Sequence, residues 1–324
     1  MRRAAGIAAL AAAALALLLQ RPAAAATTCP TIDATAALSQ IADSTAGQPP
    51  AAQIAAFRRG IIEVWPDLYR PEVIGIDDPA LVDGQILKSL EAARREGERT
   101  ELKQLLRAHI AAATTAFGVF KDFSCNFPIY FADMLGALDG AGRVIAGQPA
   151  MVLGLDALER ERTKISLAVF FTHEFFHRYH FQAAGFSDDL EDRQEIWRNL
   201  WAEGLATYVS EVLTRGATQQ QALMLPSDLA QRGAPLLGRM ASELLAGFDS
   251  MDKPLFQTYF TYGSAAGRGG IPPRAGYYVG YRVARELAHH YSLNQLAHLK
   301  GDALHRQIVA TLRKWADAAV PAAP

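Results

Sequence analysis

The chain has 324 residues, 32 basic and 33 acidic side chains, a formal charge of −1, and half of its residues hydrophobic. Mixed and nearly balanced charge gives no electrostatic footprint for nucleic acid or for an anionic membrane surface. Only the first segment is apolar enough to suggest a membrane, and roughly 300 residues follow it, enough to bury a core as one domain or one domain with a helical extension.

That segment reads Met1-Arg2-Arg3, an alanine and leucine run from Ala4 to Leu19, then Arg21, Pro22 and four alanines ending at Ala26. A basic head, a short apolar stretch and an Ala-x-Ala exit form the pattern of a secretory signal peptide, so residues 1–26 are expected to be removed. The mature chain is then expected in the periplasm or outside the cell, with no stable membrane span. Cleavage takes away Arg2, Arg3 and Arg21 and no acid, which moves the formal charge from −1 to −4. Cys29 and Cys125 are the two cysteines, and in an oxidising compartment one disulfide between them is expected, with two free thiols as the alternative.

From Thr31 to about Phe117 the pattern is helical. Thr31 to Ile41 reads as one helix, Pro49-Pro50 opens a second that stops at Trp65-Pro66, and Asp77-Asp78-Pro79 is a strong start for a third. The charged stretch Glu91 to Lys103 reads as a solvated helix face. Residues 27–120 are expected to form a helical cap on a catalytic region spanning 121–318, with a disordered tail over 319–324. After Phe123 the period changes. Phe127 to Phe131 and Ala150 to Leu155 read as short strands joined by a glycine-rich loop over 136–147, and such strands could offer an edge for an extended peptide or serve as ordinary sheet edge.

The run Ile165 to Tyr179 is largely apolar, which suits a buried helix. It carries His173-Glu174-Phe175-Phe176-His177. Four helical residues advance by about 400°, so His173 and His177 share a face about 6 Å apart and can hold one Zn²⁺ at roughly 2.0–2.1 Å each. Glu174, one step round, then stands where a carboxylate can take a proton from a water acidified by the ion. A buried pair of satisfied histidines is the bland alternative, though polar groups in such a helix cost several kcal/mol unless paired or bound to metal. The helix should end near Gly185, and an acidic stretch leads to a second helix from Arg193 to about Leu213 that contains Trp201-Ala202-Glu203-Gly204-Leu205-Ala206-Thr207-Tyr208.

His-Glu-x-x-His followed on the next helix by Glu-Gly-Leu-Ala-Thr-Tyr resembles the gluzincin zinc metallopeptidases, in particular the catalytic helices of aminopeptidase N-like enzymes and exported bacterial zinc-dependent proteases. The resemblance covers about Ile165 to Val212. It implies that His173, His177 and Glu203 bind one zinc ion and that Glu174 is the general base. Rival third ligands are Glu195 and the acids Asp188, Asp189 and Asp192. His180 lies a further turn along, too far to join the same tetrahedron, and reads as a residue beside the site or on the surface. Thr207, one turn after Glu203, could hydrogen-bond a ligand histidine or simply lie on the helix surface.

Helical stretches over 218–224 and 227–248 follow, then a loop over 263–273 rich in small residues that suits the rim of a cleft. Tyr277-Tyr278-Val279-Gly280 opens the next helix. The resemblance places the phenol of a Tyr-x-x-Gly against a developing oxyanion, which implies Tyr277 as a catalytic residue with Tyr278 and Tyr281 as rivals. Arg274 could meet a substrate carboxylate or remain an exposed arginine. Gly147-Gln148-Pro149-Ala150-Met151 lies where an aminopeptidase has its strand for the free amine but lacks the necessary acid, so exopeptidase action is not expected and an endopeptidase or a narrow-substrate peptidase is. His289, His290, His298 and His305 have no ligand spacing. The expectation is an α+β fold, predominantly helical and zincin-like, with a small β-sheet beside the metal-binding helix, acting as a zinc peptidase on a peptide or protein substrate. An exported zinc-binding or scaffold protein without turnover is the alternative.

Overall fold

Four short strands and twelve helices of six residues or more are found among the residues described by the computed structural model, which are 29–185, 194–262 and 267–318. The expected signal peptide, the acidic stretch with Asp188, Asp189 and Asp192, and the expected tail lie outside the described residues. Strands β1 (Thr31–Asp33), β2 (Ile129–Ala132), β3 (Gly140–Ile145) and β4 (Gln148–Gly154) form one mixed sheet in the order β1-β2-β4-β3. The β1-β2 and β2-β4 pairs are parallel, and β3 runs antiparallel to β4 as the outer strand. The fold is α+β and mostly helical.

Two of these strands differ from the sequence expectation. Thr31 was expected to begin a helix that ran to Ile41, yet Thr31–Asp33 pairs with Ile129–Phe131. Helix α1 (Leu38–Ser44) starts only afterwards, because Asp33 Oδ1 accepts hydrogen bonds from the Thr35 amide and hydroxyl and turns the chain between them. The disulfide Cys29–Cys125 sits just ahead of both strands and ties them at their shared end. The glycine-rich segment expected as a loop contains β3. Small residues suit it because the strand lies against a helix: a Cβ on Gly140 would come within 2.8 Å of the Phe170 ring.

The sheet is buried on both faces. Ile129, Phe131, Met151 and Leu153 point into one hydrophobic core, while Ala132, Ala150 and Val152 point into another, as the period of two requires. Helices α1, α2 (Pro50–Phe57) and α3 (Pro79–Ala93) fill the second core, with the α3 start capped by Asp78, whose carboxylate accepts from the Ala80 amide. Helix α4 (Glu96–Ala116) instead joins the first core through Leu102, Leu106, Ile110 and Phe117. Residues before position 120 therefore contribute a strand, a cross-link and a packed helix to the same body as the residues after it.

Around the first core stand α5 (Leu155–Glu161), α6 (Leu167–Ala184), α7 (Ile196–Leu213), α8 (Leu237–Ala246), α9 (Lys253–Phe260), α10 (Ala275–Leu287), α11 (Leu293–His298) and α12 (Gly301–Ala318). Helix α6 is its centre and ends at Gly185 in the left-handed conformation. The Phe117 ring packs edge-on to Phe175 at 4.8 Å, and Phe171 stacks on Phe175 at 5.3 Å, so aromatic rings surround the helix on the side away from its histidines. No helix among the described residues is long and apolar enough to cross a membrane.

The disulfide closes a loop between positions 96 apart in the sequence. Replacing both cysteines by serine is expected to lower unfolding free energy by about 2–5 kcal/mol. A urea midpoint unchanged between the oxidised wild type and the double variant would contradict that.

Candidate metal centre

The site is built where α6, α7 and α10 cross. Gly204 on α7 and Gly280 on α10 meet backbone to backbone: a Cβ on Gly204 would run into the Gly280 main chain, and one on Gly280 would meet the Leu200 carbonyl and the Gly204 backbone. Helices approach this closely only where neither residue carries a side chain. Gly204 follows Glu203 directly, and Gly280 lies one turn after Tyr277. The glycine contact therefore brings the carboxylate and the phenol toward the same point over α6.

At that point His173, His177 and Glu203 form the only group of three potential ligands that the described residues offer a metal ion. The His173 and His177 Nε2 atoms are 3.0 Å apart. Glu203 Oε2 lies 3.2 Å from the first and 3.4 Å from the second. Zinc bonds of about 2.0–2.2 Å in a tetrahedron separate ligand atoms by about 3.3–3.6 Å, so the three atoms stand close to the edges of one tetrahedral face. The lone pairs of these three atoms repel where they converge unless a proton or a cation lies between them, so the group could hold a metal ion. His173, His177 and Glu203 are all buried, at 2%, 7% and 3% exposed, while Glu174 and Tyr277 beside them are half-buried.

Burial pulls the His173 pKa down to about 4, with the neighbouring His177 and Arg274 charges adding to the effect and Glu203 opposing it. Neutral imidazole is the form that binds metal. Burial pushes the Glu203 carboxyl up, but the His177 charge and hydrogen bonds from both rings outweigh it and hold the group well below the usual carboxylate range.

Of the residues singled out in the sequence, Tyr277 comes to the triad: its ring lies nearly parallel to His173, at 19° and 6.2 Å between centroids. Its rivals are engaged elsewhere. Tyr278 is buried and its hydroxyl accepts from Arg282, and the Tyr281 hydroxyl donates to Glu211 at 2.6 Å. Glu174 is half-buried and its side chain lies against β3, with Cγ 3.2 Å from where a Cβ on Gly140 would stand. Glu195 stands at the position before α7, where its side chain pairs with Arg198 at 2.6 Å and is not part of the triad. The Thr207 hydroxyl donates to the Glu203 carbonyl one turn back rather than to a histidine. His180 is fully buried, which rules out the surface position that its place along the helix allowed. Gly147 to Met151 forms the β3-β4 turn and the start of β4. Among the C-terminal histidines, His298 pairs with Asp122 and His305 with Asp249.

Sequence reasoning missed the role of β3 and the glycine contact. The signal for the second was present: each glycine stands at a fixed offset from a candidate polar residue on a buried helix. Comparison with protein-family models, curated proteins and solved structures finds no match.

Two outcomes are expected from this geometry. Gly280→Ala should cost about 1–3 kcal/mol or more, read by chemical denaturation, because backbone must move to admit the methyl group. Burial also pushes His180 down to about 3 from 6.5. The unfolded chain thus takes up a proton that the folded chain refuses, and stability present above pH 6.5 is lost as pH falls. For the metal-free protein the His180 share between pH 6.5 and 4.5 is about 2–3 kcal/mol. His180→Phe should flatten the pH dependence of the melting temperature over that range, and an unchanged slope would refute the burial argument.

Proposed function

We propose that the protein is an exported zinc-dependent peptidase of gluzincin type, with His173, His177 and Glu203 as zinc ligands. The observation that carries this reading is the converging triad, whose ligand atoms lie 3.0–3.4 Å apart and nearly enclosed. Zinc held there would supply Lewis acidity, polarising a carbonyl and acidifying a water. Glu174, on the next position round the helix, accepts the proton of the attacking water and passes it to the departing amine. Tyr277 donates a hydrogen bond to the carbonyl oxygen as negative charge develops on it. Glu203 neutralises part of the cation charge and is itself fixed by its contacts with both imidazoles.

The peptide class of substrate rests on β3. It is the outer strand of the sheet and packs against α6 beside Glu174, so its free edge belongs to the strand nearest the candidate base. An extended peptide pairing with that edge would pass over the triad with its carbonyls in reach of it.

Purified mature protein is expected to hold one zinc per chain and to hydrolyse peptides. His173→Ala should lose the zinc, while Glu174→Gln should keep it and lose about 10²–10⁴-fold in kcat. Zinc bound by a wild type that hydrolyses no peptide in a broad library would replace the peptidase by a zinc-binding scaffold, and no zinc at all would remove both.

A further inference from the structure

Arg274 stands out beside the triad. It occupies the position before α10 with φ 58°, a left-handed conformation that costs a residue with a side chain about 1–2 kcal/mol. That conformation lays its guanidinium over the Tyr277 ring, 3.9 Å from the centroid. Tyr277 in turn lies 6.2 Å from His173 and nearly parallel to it. Arginine, tyrosine and histidine therefore lie in contact as a series that leads to the ligand atoms.

The guanidinium is half-buried and donates one hydrogen bond, from Nη1 to the Leu225 carbonyl at 3.2 Å. No carboxylate among the described residues lies within 4.0 Å of it, whereas Arg58 and Arg198, also half-buried, each pair with one. A cation ordered by stacking and only partly satisfied keeps a fork of donors for a ligand, and a planar fork matches a carboxylate. The two ring distances put it within about 10 Å of the His173 ring, and two extended residues span about 7 Å. A carboxylate one or two residues beyond the bond being cleaved would meet it.

Building on the peptidase reading, we infer that Arg274 binds the C-terminal carboxylate of the substrate, so that the enzyme releases one or two residues from the carboxyl end of a peptide. Water adds across the amide, its oxygen to the carbonyl carbon and its proton to the departing amine, which leaves as the short C-terminal fragment held by Arg274. Gly147 to Met151 carries no acid to grip a free amine, and this inference replaces the expected endopeptidase action by recognition of the carboxyl end.

The test uses the zinc-loaded full-length mature protein and matched peptides that end in a free carboxylate or in an amide. Wild type is expected to favour the free acid in kcat/KM by about tenfold to a hundredfold, with one- or two-residue products seen by mass spectrometry. Arg274→Gln should collapse that ratio, mainly through KM for the acid, and Arg274→Lys should restore part of it. Equal cleavage of acid and amide by wild type, or equal losses on both in Arg274→Gln, would overturn the inference while leaving the peptidase in place. A wild type with neither zinc nor hydrolysis would take the peptidase reading down and this inference with it.

Discussion

The backbone contact between Gly204 and Gly280 is the constraint on which the site depends. Helices α7 and α10 touch main chain to main chain there, and no other residue type allows it. Glu203 is one residue and Tyr277 one turn from that contact. A wider crossing would carry Glu203 away from the histidines or Tyr277 away from His173, and the buried charge of Glu203 would then lack the imidazoles that hold it ionised. The geometry of three side chains thus rests on the absence of two others.

Around that contact the molecule is arranged to keep α6 rigid. Its histidine side faces the carboxylate and the phenol, and on its opposite side its own Phe175 and Tyr179 pack against Phe117 and Phe120. Aromatic rings have few rotamers and fill volume without asking for hydrogen bonds, so the imidazoles start from a helix that cannot shift to accommodate a ligand. The sheet adds a second restraint through β3, which leaves no space for a side chain at Gly140 because Phe170 and Glu174 are already there.

How much of this could be read from the sequence follows the distance over which each feature is decided. His173, Glu174 and His177 lie within five residues of one helix, and helix period alone places them. Glu203 lies on a second helix, and only the resemblance carried by Glu203-Gly204-Leu205-Ala206-Thr207-Tyr208 singled it out. Tyr277 was separated from Tyr278 and Tyr281 only by tertiary partners, Arg282 for one and Glu211 for the other. Thr31–Asp33 could not be recognised as a strand, because three residues become a strand only through a neighbour almost a hundred positions away. The β3 glycines read as a loop for the same reason: their spacing answers to Phe170 and Glu174, which no local pattern near residue 140 reveals. His180 looked ambiguous because burial of a third histidine on α6 depends on what packs above it.

The Cys29–Cys125 bond can also be viewed along the time axis of folding. The β1-β2 pairing joins the most distant segments of the sheet, and such non-local contacts are the slowest for a chain to find. Once the cross-link forms, the ends of those strands are neighbours in every conformation of the chain, folded or not. A parallel pair that would otherwise need a long-range search becomes a local one.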